Sequence, residues 1–130
     1  MIVLDLKDKR PLYEQVAEQL KEQMSIGILE ENARLPSAKG MAVDLSINPN
    51  TVQRAYAQLE REGYVYSLQG QGLFVTRTAR LHELCLTELK ERLLQVLKEA
   101  RRMGLSDEEI LALVSKSARE MEKDTGVKTV

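Results

Sequence analysis

Apolar residues return at three- and four-residue spacing near the start of the chain: Leu12, Val16, Leu20 and Met24, with Tyr13 and Ala17 beside them. That period predicts an amphipathic helix, with Glu14, Glu18, Lys21 and Glu22 on its wet face. Pro11 suits the first helical position, where a missing N–H costs nothing, and Gly27 ends the run. Residues 2–6 suit a short extended segment, and residues 28–36 read as a connection. Ser37 is expected to cap a short second helix with Met41, Ala42 and Leu45 inward. Residues 46–49 break the pattern. Asn48 then caps, and Pro49 opens, a third helix reaching about Glu62. Its apolar stripe is Val52, Ala55, Tyr56 and Leu59, and Gly63 stops it.

Beyond Gly63 the period changes. Residues 64–68 and 73–76 are β-rich runs separated by Gln69-Gly70-Gln71-Gly72, which predicts a hairpin. After Arg77 the helical period returns. Ala79, His82, Leu86, Leu89, Leu93, Val96, Ala100 and Met103 alternate gaps of three and four, and Leu94 and Leu97 broaden the stripe. Gly104 interrupts it. Ser106-Asp107-Glu108-Glu109 reads as a capping box for a last helix with Ile110, Leu111, Val114, Ser117, Ala118 and Met121 on one side. From about Asp124 the pattern frays. The expected class is α+β: residues 1–77 form a domain of three helices and a hairpin, and residues 78–130 a small all-α region.

Composition narrows the function. The chain has 130 residues, 43% hydrophobic and 30% charged, which fits a soluble globular protein with one ordinary core. No apolar run approaches bilayer length and no export leader is visible, so a cytoplasmic protein without membrane contact is expected. One cysteine, Cys85, excludes an internal disulfide framework and a cysteine-based zinc site. His82 and Cys85 form a two-member pair with no third ligand, so no metal and no cofactor are expected. No nucleophile–base–orienter set and no phosphate-binding loop is present, which points away from an enzyme. The net charge is −1, so nucleic acid cannot be held by bulk positive charge. Charge is instead local. Residues 34–77 carry Arg34, Lys39, Arg54, Arg61 and Arg77 against Asp44, Glu60 and Glu62, a balance of +2.

Two short helices joined by a tight turn and followed by a hairpin suit a winged helix-turn-helix. A helix entering the major groove needs an apolar face to hold it and a small polar face to approach bases. Val52, Ala55, Tyr56 and Leu59 serve the first need; Asn50, Thr51, Gln53, Arg54 and Ala57 serve the second. Asn and Gln pair bidentately with adenine, and Arg with guanine or phosphate. The early position of Asn50 and Thr51 brings the helix N-terminus near a phosphate. Arg34 adds a cation before the second helix, and Gln69, Gly70 and Gln71 form the tip of the wing. Two cations have structural alternatives: Arg54 to Glu14 or Glu18, and Arg61 to Glu60 or Glu62.

These residues resemble a known family. Pro11-Leu12-Tyr13-Glu14-Gln15, Leu35-Pro36-Ser37, Lys39, Met41-Ala42, Thr51-Val52, Arg54-Ala55-Tyr56, Leu59-Glu60 and Gly63 are similar to the DNA-binding domain of GntR-family bacterial transcription regulators. Gly70-Gln71-Gly72 with Phe74-Val75 resembles that family's wing. The short helical tail and Asn48-Pro49-Asn50-Thr51-Val52 resemble the YtrA branch. The resemblance implies a homodimer on a palindromic operator in double-stranded DNA, acting as a repressor of a transporter operon or of its own. It places DNA contacts at Lys39, Thr51, Gln69 and Gly70. Pro49 and Gln53 stand where other branches often have arginine, and Lys39 lacks the planar guanidinium fork, so the base code of those branches does not transfer. Fewer cations also imply a shallower salt dependence.

The leucine-rich tail is too short to enclose its own stripe. A symmetric partner burying Leu86, Leu89, Leu93, Val96, Leu97, Ala100 and Met103 solves this. An unidentified small-molecule effector would act by changing the relative placement of the two reading heads. Two alternatives remain: a winged helix that docks on a protein without base preference, and a thiol switch in which Cys85 forms an intersubunit disulfide.

Overall fold

A computed structural model of the chain describes residues 2–125. Five helices and one hairpin follow in the expected order: α1 (Leu12–Ser25), α2 (Ala38–Leu45), α3 (Pro49–Glu62), β1 (Val65–Leu68), β2 (Gly72–Val75), α4 (Thr78–Arg102) and α5 (Asp107–Thr125). The chain divides into two compact units between Leu86 and Thr87, within α4.

In the first unit three helices and the hairpin share one apolar core. Val16, Ala17, Leu20 and Met24 of α1 join Val52, Ala55, Tyr56 and Leu59 of α3, with Met41 and Ala42 of α2 and Val65 and Val75 of the hairpin. Polar caps set the helix boundaries. Ser37 Oγ accepts the Gly40 N–H at 3.0 Å, and Asn48 Oδ1 accepts the Asn50 N–H at 2.8 Å. Gly63 closes α3 at φ +90°, and the Tyr64 N–H reaches back to the Leu59 carbonyl at 2.9 Å. This left-handed turn sends the chain directly from the third helix into β1.

The hairpin pairs Val65 with Val75 and Tyr66 with Phe74, whose rings stack 5.8 Å apart. It has a third edge. The Leu35 N–H donates to the Leu73 carbonyl at 2.8 Å, and the Val75 N–H to the Ala33 carbonyl at 2.9 Å. Residues 28–36 are therefore more than a connection, because part of this segment supplies the backbone partners that β2 would otherwise lack.

Three further placements correct the sequence reading. Pro11 lies one position outside α1, with extended ψ of 149°, and its carbonyl accepts the Glu14 and Gln15 N–H groups. Of the segment expected to be extended, residues 2–5 lie outside any helix or strand and Leu6 falls in a turn. Their backbone is held by side-chain amides, with Gln19 Oε1 accepting from Val3 at 2.7 Å and Gln15 Oε1 from Asp5 at 2.9 Å. Lys21 leaves the wet face of α1 and is only 5% exposed. Its Nζ sits 3.1 Å from the Glu62 carboxylate, 3.7 Å from Glu18 and 4.7 Å from the centre of the Tyr64 ring. A buried ammonium needs such partners, and these tie α1 to the end of α3.

The first turns of α4 also belong to this unit. Glu31 Oε1 accepts the Thr78 N–H at 2.8 Å, Leu81 is buried, and Leu84 and Cys85 pack on the core. Ala79 and His82, which head the heptad stripe in sequence, are exposed. The second unit holds the rest of α4 and α5. The capping box forms: Ser106 Oγ accepts the Glu109 N–H at 3.1 Å and Glu109 Oε1 accepts the Ser106 N–H at 3.2 Å. Helix α5 runs through Asp124 to Thr125, and the rest of the frayed end expected there lies outside the described residues.

Tyr56 offers a test of the first unit's core. Its hydroxyl donates to the Pro36 carbonyl at 2.9 Å, and burial pushes the phenol from its ordinary 10.0 up to about 12. The folded state then holds this proton more tightly than the unfolded chain. The stability this contributes is whole below the unfolded value and is lost as pH rises from 10.0 through about 12, by on the order of 2–3 kcal/mol. Tyr56→Phe is expected to flatten that alkaline limb and to cost ~1 kcal/mol at neutral pH. Urea midpoints of both proteins across the alkaline range check this; identical slopes would refute it.

Candidate nucleic-acid interface

The apolar stripe of α3 is spent inward, so its other side is fixed by geometry. Asn50, Gln53, Arg54 and Ala57 are exposed, and Thr51 is half-buried. Pro49 has no N–H to donate, and Asn48 engages the Asn50 N–H with its side chain and the Thr51 N–H with its carbonyl at 3.0 Å. Lys39 is exposed in the first turn of α2. The outward positions in the first half of α3 are thus small, polar or cationic, whereas α2 exposes Val43 and Asp44 beside Lys39.

The wing tip is as open as its sequence suggests. Gln69, Gly70 and Gln71 are exposed, and the Gln71 N–H closes the turn on the Leu68 carbonyl at 2.9 Å. Gly72 follows at φ +115°, where a side chain is strained. A Cβ there would also sit 3.1 Å from Arg34 Nε, so the bare backbone of Gly72 is what lets the Arg34 guanidinium lie against the wing. Arg34 precedes the second helix in sequence, and the third edge of the sheet sets it opposite Phe74 with its guanidinium beside Gly72, at the turn end of the wing.

Arg54 takes neither of its expected carboxylate partners. Its guanidinium lies over the Tyr13 ring, 3.9 Å from the centroid. Glu62 likewise meets Lys21 rather than serving only its neighbour on the helix, and it accepts from Gln58 Nε2 at 3.2 Å. Lys21 was detectable in the sequence: Ala17, Leu20, Lys21 and Met24 fall at the spacing of a buried stripe. The Tyr13–Arg54 contact had no such signal, since the two residues lie on different helices.

The seam residues sit differently from a finished core. Leu86, Leu89, Leu93, Val96 and Met103 are 41%, 52%, 56%, 58% and 82% exposed. Leu97 and Ala100 are half-buried, and Ile110 is the buried apolar residue of the second unit among the described residues. Cys85 and His82 line an open cavity of about 670 Å³ in the first unit, together with Met24, Leu29 and Leu81. Among the described residues no group of His, Cys, Asp and Glu has the arrangement to hold a metal ion, and no helix is long and apolar enough to cross a membrane.

Residues 12–75 match the family model for bacterial regulatory proteins of the gntR family. The HTH-type transcriptional repressor YtrA of Bacillus subtilis (strain 168) is 38% identical over 112 residues, spanning 85% of this chain and 86% of that protein. The chain belongs to the GntR family. Its likeness to YtrA, which runs through the helical tail, places it in the YtrA-like branch, among transcription regulators rather than enzymes. The solved structure of a transcriptional regulator from Oenococcus oeni superposes with a TM-score of 0.73 at 30% identity, covering 91% of this chain and 99% of that one. AraR(DBD), solved in complex with operator ORE1, superposes at 0.50 with 25% identity over 58% of this chain and 93% of its own. The winged helix-turn-helix expected from the sequence is the fold of this GntR-family chain.

Proposed function

We propose that this GntR-family regulator is a repressor that binds a palindromic operator as a homodimer. In this reading α3 lies in the major groove and the hairpin wing follows the adjacent backbone or minor groove. The observation that carries the reading is the division of α3 into a fully committed apolar face and an exposed face of Asn50, Gln53, Arg54 and Ala57. Lys39 and Arg34 beside the wing supply phosphate contacts, and Gln69, Gly70 and Gln71 approach the backbone closely. Residues 1–77 are the reading head and residues 78–130 the dimerisation region.

Support for the dimer comes from the exposed leucines of α4. Leucines gathered on one helix and left more than two-fifths exposed are the kind of surface that a partner would cover. A twofold axis through such a seam would present two heads to successive major-groove faces, roughly 34–36 Å apart. Any effector would have to bind the two arrangements of the heads with different affinity.

Fluorescence anisotropy with DNA from directly upstream of the gene, against excess unrelated DNA and over a salt series, tests this. Competitor-resistant binding of two protomers per site is expected. Thr51→Ala and Gln53→Ala should each weaken specific binding by about 1–3 kcal/mol and relax base preference, whereas Lys39→Ala should weaken all sequences alike and reduce the salt slope by about one. If selection from a random pool yields no motif, the chain is an interaction module instead. Dimerisation or binding lost in Cys85→Ser would favour the thiol switch.

A further inference from the structure

Arg54 is the cation in the first half of α3, and its partner is a ring rather than a carboxylate. Glu14 and Glu18 lie on the neighbouring helix, yet no ion pair involving Arg54 forms among the described residues. The guanidinium carbon instead lies over the Tyr13 ring, 3.9 Å from its centre, while Arg54 remains exposed. The Tyr13 hydroxyl lies 3.3 Å from the Glu14 carboxylate and donates to it. The difference between the two arrangements is chemical. A carboxylate partner would occupy the N–H fork and cancel the charge. A ring engages only the π face and leaves the in-plane donors and the full charge available.

We propose that Tyr13 is a positioning residue for DNA recognition: its ring holds the Arg54 guanidinium over its face and leaves the N–H donors free to reach a phosphate or a guanine. This rests on the DNA-binding reading above. A long side chain loses rotamer freedom when it docks, and a side chain already stacked has lost part of it beforehand. The first helix therefore takes part in recognition without touching a base. Tyr13 is only half-buried, at the end of α1 away from Lys21, so its ring is not a central core element.

A double-mutant cycle in the full-length chain tests the proposal, with a duplex selected from a random-sequence pool as the probe. Tyr13→Leu is expected to weaken binding on the order of three- to tenfold, the range set by an exposed-to-partly-desolvated cation–π contact. Tyr13→Phe keeps the ring and should stay within about twofold of the parent. In an Arg54→Ala background Tyr13→Leu should have no further effect, an outcome that a merely structural role for Tyr13 would not produce. Equal losses in both backgrounds, or a Phe variant as weak as the Leu variant, would overturn the proposal. Should Tyr13→Leu melt at the assay temperature, Tyr13→Gln takes its place in the same cycle. A parent chain that selects no sequence would bring down the DNA reading itself, and the positioning role with it; a parent that binds while Tyr13→Leu binds equally well would remove the positioning role alone.

Discussion

Replacing Leu89, Leu93 and Val96 together with glutamine is expected to leave a folded monomer that binds the operator at least about two orders of magnitude more weakly. The three side chains are more than half exposed in the chain as it stands. If a partner covers that exposed half on both copies, the six side chains contribute on the order of 5–9 kcal/mol to association. Glutamine removes the contribution without adding charge, so a change in DNA affinity is not coulombic in origin. It is also a good helix former, so α4 persists. The first unit has its own core and uses none of these residues. Its thermal unfolding should therefore shift little. The loss of affinity arises because a second head on the same molecule meets its half-site at high effective concentration, and a monomer forfeits that advantage. Sedimentation at micromolar protein and anisotropy on full and half operators give both readouts. A variant that stays dimeric would move the seam elsewhere, for instance to the exposed Leu111, Val114 and Met121 of α5. A variant that is monomeric yet binds the full operator undiminished would remove the need for two heads.

How much of this was legible in the sequence depended on whether the determining contacts were local. Helix boundaries were, because caps act within three residues: Ser37, Asn48, Gly63 and Ser106 all do what their types and positions predict. The apolar stripe of α3 was legible for the same reason. What escaped depends on residues far apart in sequence. The third edge of the sheet pairs residues 33–35 with 73–75, and neither the short run nor its composition announces a strand. Leu81 was hidden behind a better pattern: the heptad stripe of α4 draws attention to Ala79 and His82, but the helix first turns Leu81, Leu84 and Cys85 to the core. Lys21 escapes because its charge argues for the wet face, while its spacing with Ala17, Leu20 and Met24 argues for the buried one. At the interface, residue types and solvent-facing positions were readable, whereas the partners of Arg34 and Arg54 were not, since each is set by packing between elements.

The two faces of α3 should separate stability from recognition. Leu59 is fully buried, in the cluster with Val16, Leu20 and Tyr64, and its carbonyl anchors the turn into β1. Leu59→Ala leaves a cavity at the junction of helix and hairpin and is expected to cost about 2–5 kcal/mol. For a domain of this size that is a large part of a total of about 5–15 kcal/mol, and the midpoint should fall by roughly 10–30 °C. At a temperature where the variant is still folded, its operator affinity should be close to that of the parent, because the exposed side chains of α3 are untouched. Ala57→Glu should do the reverse. Ala57 is exposed two residues before Leu59, and glutamate is tolerated in a helix, so unfolding should change by no more than about 0.5 kcal/mol. Against DNA the same change sets a carboxylate toward the phosphates and should reduce binding by at least about tenfold, more at low salt than at high. Thermal unfolding and anisotropy on the same two proteins decide it. If Ala57→Glu binds as well as the parent, the exposed face of α3 is not the one that meets DNA, and the orientation of the whole reading head must be redrawn from the wing.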